Sequence, residues 1–396
     1  MQLHRRKCKR EAIMRDGYKI FDADTHFHAS SETLQPFLAP SLRDSVEGVG
    51  LQEFRTGWAG EKLEAPYNHL YRLGDTSGWG AAPPRYLGEA GPRPNAERHF
   101  QKFQGFKFPT LGGSDWDIDA RIRDMDEEGV DVHLMVPGAS LGHKDPFVDM
   151  AMIESVHRQL DDACSRYPER LNSLILATAR DVKGSLSEIN KYAGSKWAKG
   201  IWVNLPVDYP VDHPELNPIW EAADSHGLTI VHHSFAWGYP GYRDLWDNPF
   251  IGRTASHPWA AMRMIAAFLG AGLLDKYPNL NLAILESGFG WLPFWMRRME
   301  DQVHYMGYVA DGLKHRMDEY MTGGRFFAGI VIHEGEEMTK MVSEMMGDHV
   351  LMFGSDYPHA ESRFPKSADI VLDWDSLGEE RMRKLMWDNA AKCFRL

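Results

Sequence analysis

Apolar and polar positions along this chain alternate between two periods. Short apolar runs of strand type are followed by longer segments whose apolar residues recur every three or four positions. Residues 18–26, YKIFDADTH, read as a strand that runs straight into a polar cluster. DWDIDARIRDMDEEG then places Ile118, Ile122, Met125 and Val130 on one helical face and leads into a strand over 132–136. Its DMDEEG charge run reads as the solvated side of that helix. A helix over 147–167 precedes a strand over Leu171–Thr178, GIWVNLP predicts the next strand, and NPIWEAADSHG predicts a helix before a strand over 228–232. Further on, 259–274 predicts a helix, 280–285 a strand ending at Glu286, 326–332 a strand and 336–346 a helix. HVLMFGSD is the last strand, and GEERMRKLMWDNAAKCF closes the chain as an amphipathic helix.

About eight strands alternating with helices imply a parallel sheet with crossover helices, and an even count suits closure into a barrel. The expected fold is therefore α/β, a distorted (β/α)8 TIM barrel. An open doubly wound sheet is the competing architecture, yet GxGxxG and GxxxxGK[ST] are both absent and the first strand ends in carboxylates and imidazoles. The chain has 396 residues, 43% of them apolar, against roughly 250 for a bare barrel. The excess falls partly in an irregular insertion after the first strand, about residues 47–113, rich in Gly, Pro and Trp. A structureless loop of that length is unusual, so it is expected to cover the barrel or contact a partner chain. The organisation expected is a loose basic arm over 1–17 and one barrel domain over 18–396.

Charge and cysteine usage narrow the partners. With 44 basic and 56 acidic residues the formal charge is -12, which argues against nucleic acid or an anionic membrane as partner. No window approaches the roughly 18 apolar residues of a membrane span. Cys8, Cys164 and Cys393 are far apart, and no secretory leader is evident, so a cytoplasmic location is expected. A small-molecule substrate and a homodimer, with the aromatic insertions as interface, complete the expectation.

The candidate chemistry lies at strand ends, where barrel enzymes carry it. Alternate residues of an extended strand share a side, so Asp24 and His26 of DADTHFH can meet on one ion, while Asp22 and His28 stand nearby and His28 can orient a ligand from behind. In LTIVHHSFAWG one of His232 and His233 faces inward; His232 is the expected ligand and His233 the expected catalytic group. Asp356 of FGSDYPH, with Pro358 and His359 beside it, suits a metal ligand or a proton acceptor for metal-activated water, against the plainer reading of a turn residue. Glu286 follows an apolar strand, where a carboxylate is costly unless paired or ligated, so it reads as a proton shuttle, substrate contact or ligand rather than a cap. His333 and Glu334 are weaker pocket candidates. The stretch 235–246, with Trp237, Tyr239, Tyr242 and Arg243, suits pocket lining or core, and Arg297 and Arg298 suit an ion pair better than a substrate carboxylate. Oxygen and nitrogen ligands of this kind suit one divalent ion, zinc first, with manganese or iron as alternates.

On DADTH, VHH, LESGFGWLPFW, LMFGSDYPH and the closing DNAAKCF, the chain resembles the amidohydrolase superfamily. The branch it resembles includes aminocarboxymuconate semialdehyde decarboxylase and related aromatic acid decarboxylases, and the resemblance spans about residues 18–394. It implies a mononuclear divalent metal held by Asp24, His26, His232 and Asp356, with Asp24 standing where histidine or glutamate is frequent. It also implies a histidine after the sixth strand, where this chain has Glu286. A carboxylate and an imidazole differ in protonation near neutral pH, so this departure tilts the expectation towards hydrolysis by metal-activated water, with Asp356 or Glu286 as base. Decarboxylation of an aromatic or dienoic acid is the alternative, and a ligand-binding barrel without turnover is the second alternative.

Overall fold

Period-two alternation builds the centre of the molecule. The computed structural model describes residues 15, 17–27, 34–43, 51–54, 70–73, 117–137, 145–205, 209–233, 249–359 and 362–396. Eight parallel strands stand side by side in chain order: β1 (Phe21–Phe27), β2 (Val132–Pro137), β3 (Leu171–Thr178), β4 (Ala198–Asn204), β5 (Thr229–His233), β6 (Leu282–Leu285), β7 (Phe326–Gly329) and β8 (Leu351–Met352). All eight are the expected strands. One parity of side chain, including Phe21, Ala23, Val132, Leu134, Val231, Leu285 and Met352, fills the barrel. The other, including Ile175, Ile201, Ile230 and Ile284, packs outward beneath the helices. Fully burying one such aliphatic side chain is worth about 1.5–3 kcal/mol, so a slip of one residue in any strand would forfeit several of these.

The barrel closes where β8 runs past β1. The amides of Ala23 and His26 donate to the carbonyls of Phe353 and Tyr357, at 2.9 and 2.6 Å, and the Asp356 amide donates to the Asp24 carbonyl at 2.9 Å. A parallel bridge pairs Thr25 with Tyr357. Gly354 allows this approach, because a Cβ there would lie 2.9 Å from the Cβ of Asp24.

The surrounding helices are α1 (Ile118–Glu128), α2 (Pro146–Arg166), α3 (Val182–Tyr192), α4 (Asn217–His226), α5 (Pro249–Gly270), α6 (Leu292–Tyr305) and α7 (Gly335–Met346). Asp117, Asp145 and Asp181 cap the first three, each accepting from an amide of the first turn. α3 is a helix beyond those expected from periodicity, and α5 begins at Pro249 rather than at 259 and carries Pro258 within it. The closing helix is interrupted by a π turn over Lys384–Asp388.

The charge run on α1 is a correction. Arg123, Asp126 and Glu127 are exposed as expected, but Asp124 and Glu128 are buried together with Arg121. Spacings of three and four put these three charges on one face, and that face meets the barrel. Glu128 accepts from the Ser367 amide at 2.7 Å, and the Tyr357 hydroxyl donates to Asp124 at 2.6 Å.

Within the insertion, Leu51–Phe54 and Leu70–Leu73 pair as antiparallel strands. The rest of 47–113, residues 1–14 and 16, His28 and the aromatic stretch 235–246 lie outside the described residues. No described helix is long and apolar enough to cross a membrane.

Candidate metal centre

Strand register decides which side chains reach the mouth of the barrel. In β1 the pairing with β2 slips between Asp22 and Thr25. Strict alternation would send Ala23 and His26 to opposite faces; the slip resets parity, so Ala23 packs inside and His26 also points in. Asp22 stays behind the strand, where its Oδ1 accepts from the amides of Ser355 and Asp24 at 3.0 and 3.2 Å. In β5, Val231 packs in the barrel interior, so His233 shares its inward direction while His232 shares the opposite parity with Ile230.

The two remaining carboxylates enter through backbone turns. Glu286 and Asp356 follow the ends of β6 and β8 with φ of 45° and 64°. Left-handed backbone is costly for a residue with a Cβ and gathers at functional positions. Here it swings each carboxylate over the barrel mouth instead of continuing strand alternation.

His26 Nε2 lies 2.8 Å from Asp356 Oδ1, 3.5 Å from Glu286 Oε2 and 3.8 Å from Asp24 Oδ1. His233 Nε2 lies 3.1 Å from Glu286 Oε2 and 3.4 Å from Asp24 Oδ1. His359 Nδ1 lies 2.8 Å from Asp356 Oδ1, and its ring stacks on His26 with centroids 3.9 Å apart. Ligand-type atoms thus meet in two overlapping groups, His26 with Glu286, Asp356 and His359, and Asp24 with His26 and His233; within each group they lie within 4.8 Å of one another.

The electrostatics of this cluster call for positive charge. Burial works against a proton on His233, but Glu286 and Asp24 outweigh it and lift the imidazole to about 10. Burial likewise opposes ionisation of Glu286, yet His233, followed by His257 and His359, holds it well below the usual carboxylate range. Neither Asp24 Oδ1 nor Glu286 Oε2 meets hydrogen-bond geometry with a described donor. Buried carboxylate oxygens and imidazole nitrogens that meet at 2.8 to 3.8 Å are a donor set that fits a divalent cation.

His232 lies outside both groups. Burial first, then His233 and His257, pushes its pKa down to about 3, so the ring is neutral. The ligand position expected for His232 is where the structure brings His233, and strand parity is the reason. Asp24, His26, Glu286 and Asp356 converge as the sequence suggested.

The cluster opens into a cavity of about 390 Å³. Asp24, Glu286 and Asp356 line it on one side; Trp291, Pro258 and the Ile330 to Ile332 segment supply apolar wall, and His257 reaches it from α5. His257 gave no signal in the sequence, because it sits within a helix rather than at a strand end. His333 and Glu334 also line the cavity. Glu334 accepts from the amides of Phe289 and Gly290 at 3.1 and 2.7 Å and so anchors the loop that begins at Glu286. Arg297 and Arg298 are exposed on α6, with Arg298 3.4 Å from Asp301, and neither lines the cavity.

Comparison with known proteins places the chain in a family. The amidohydrolase family profile matches residues 23–396. A 2-amino-3-carboxymuconate-6-semialdehyde decarboxylase from Dictyostelium discoideum is 23% identical over 257 residues, 63% of this chain and 69% of that protein. A gamma-resorcylate decarboxylase from Polaromonas sp. strain JS666 is 23% identical over 315 residues, 73% of this chain and 91% of that protein. Among solved structures, 5-carboxyvanillate decarboxylase from Novosphingobium aromaticivorans, complexed with manganese and 4-hydroxy-3-methoxy-5-nitrobenzoic acid, has a TM-score of 0.64 at 18% identity, covering 96% of this chain and 97% of that one.

Proposed function

This chain belongs to the amidohydrolase family and is an enzyme, and from that premise we propose that it is a divalent-metal-dependent decarboxylase of a small aromatic or dienoic acid. The observation that carries the reading is the convergence of Asp24, His26, His233, Glu286 and Asp356 in one buried cluster, which opens through Asp24, Glu286 and Asp356 into a small cavity with an apolar and aromatic wall. Relatives named as decarboxylases of unsaturated or aromatic acids favour it over the hydrolysis that Glu286 suggested.

Asp24, His26, His233 and Asp356 would hold the ion. A divalent cation held there would supply the Lewis acidity that offsets the negative charge of an acid substrate. Manganese suits this oxygen-rich donor set as well as zinc does, and manganese accompanies the 5-carboxyvanillate decarboxylase.

The chain's own groups do the rest. Trp291 and the Ile330 to Ile332 wall take the unsaturated body of the substrate and exclude water from the reacting carbon. Asp356, half-buried, relays a proton from His359, whose Nδ1 lies 2.8 Å from its Oδ1, to the carbon that loses CO₂, so that the carbon–carboxylate bond breaks as a carbon–hydrogen bond forms and the imidazole is left neutral. Glu286, an ionised carboxylate within this cluster, orients a hydroxyl or enol group of the substrate by accepting its hydrogen bond. The same ionised Glu286 would serve as base in hydrolysis, which makes hydrolysis the second reading.

The test is to supply the manganese-loaded enzyme with hydroxylated aromatic acids, dienoic acids, esters, amides and lactones. CO₂ release matched to substrate loss is expected from the acids. Asp356→Asn should lower that rate about 10³-fold while the melting temperature of the metal-free protein holds. Turnover of the esters, amides or lactones without CO₂ would replace this reading with hydrolysis.

A further inference from the structure

The seam between β8 and β1 carries Asp24, His26, Asp356 and His359, yet β8 spans only Leu351–Met352. Beyond that backbone pairing and the Asp22–Ser355 bond, a second charged side chain spans the seam from behind. Arg121 of α1 is fully buried, and its Nη2 donates to the His26 carbonyl. Its Nη1 donates to Thr25 Oγ1 at 3.4 Å and to His133 Nδ1 at 3.2 Å. The guanidinium carbon stands 4.9 Å from the centre of the Tyr357 ring, which it faces. One turn along α1, Asp124 accepts the Tyr357 hydroxyl at 2.6 Å.

These contacts grip both sides of the seam at the residues adjoining the cluster. His26 is held through its own carbonyl, and Tyr357 directly follows Asp356 in the chain. A planar guanidinium with several donors constrains direction as well as distance, which an apolar residue or a single ammonium would not. We infer that Arg121 is a positioning residue: with Tyr357 it forms a latch across the barrel seam that sets the approach of His26 to Asp356, and thereby the affinity of the cluster for a divalent cation. This inference rests on the metal reading above.

Arg170 supplies a matched comparison. It bonds the carbonyls of Asp131 and Val130 at 2.7 and 2.8 Å and pairs with Asp126 at 2.8 Å, at the opposite end of β2 from the mouth. A purely structural arginine contact between α1 and the barrel should behave as Arg170 does.

The experiment strips the full-length protein of metal and titrates it with manganese, reading the free ion by electron paramagnetic resonance and the fold by thermal melting. Arg121→Lys is expected to weaken manganese binding about 10-fold, the size found when an outer contact to a ligand is lost, and Tyr357→Phe about threefold. Arg170→Lys should bind as the parent does, even where its melting temperature falls. Should Arg121→Lys fail to melt cooperatively, Tyr357→Phe decides alone. Parent-like affinity in Arg121→Lys and Tyr357→Phe would overturn the latch. A parent protein that binds no manganese, or an Asp356→Asn variant that binds as the parent does, would overturn the metal reading instead.

Discussion

Two buried imidazole–carboxylate contacts in this molecule use the same residue types to opposite ends. Between α2 and α3, His157 Nδ1 meets Glu188 at 2.8 Å, and its Nε2 accepts the Leu176 amide of β3 at 2.8 Å. At the barrel mouth, His233 Nε2 meets Glu286 at 3.1 Å and Asp24 at 3.4 Å. Burial disfavours a charged ring in both places. For His157 burial prevails over Glu188 and the pKa falls below its ordinary value, in keeping with a ring nitrogen that accepts from an amide. For His233 two carboxylates outweigh burial and the pKa rises. The difference teaches that a buried histidine beside a carboxylate is not in itself a site. What separates the mouth is that two carboxylates face one imidazole there, a concentration of negative charge that suits a cation.

The comparison breaks most sharply at the mouth. His233→Asn should lower manganese affinity by about 100-fold or more, whereas His232→Asn, on the opposite parity of β5, should stay within about threefold. Calorimetric titration of the two variants side by side reads this, and equal losses would return the ligand role to His232. In the helical layer the cost falls on the fold. His157→Leu leaves the Leu176 amide buried without its partner and Glu188 to Lys191 at 3.5 Å, which should cost about 2 kcal/mol in a denaturant titration. Manganese affinity of the folded variant should be unchanged; a loss there would join the two regions and undo the contrast.

The smallest expected effect is on pH dependence. Folded His157 titrates below its ordinary 6.5, so on acidification the unfolded chain takes up the proton first. Its contribution to stability is therefore in place above about pH 6.5 and drains as pH falls towards the folded value, by at most about 1.4 kcal/mol per pH unit. The parent should lose stability relative to His157→Leu between about pH 7 and pH 5. A constant difference across that interval would mean that His157 does not fold as a neutral ring.

Much of this was legible before folding. Asp24, His26, Glu286 and Asp356 stand out because each polar group breaks an apolar strand pattern at its end, and a buried charge needs a reason. Arg121, Asp124 and Glu128 were hidden for the converse reason. They lie in a helix dense with charge, where the polar residues facing the barrel are indistinguishable from those facing water until the helix is packed. Their spacing of three and four was the available signal. His257 lacked even that, being a single imidazole inside a helix whose start lay ten residues before the pattern suggested, at Pro249 rather than 259.

Local periodicity, which depends only on neighbours along the chain, determined the eight strands, their alternation with helices and the supply of carboxylates and imidazoles at strand ends. Tertiary structure alone decided which groups meet. The register slip in β1 turned His26 inward, the pairing of β5 chose His233 over His232, and left-handed turns swung Glu286 and Asp356 over the mouth. Asp22 bonds the Ser355 amide across 333 positions of chain, and His26 meets Asp356 at the same closing seam. Contacts of that range exist only once the first and last strands are side by side, because no property of either segment by itself specifies the distance between them.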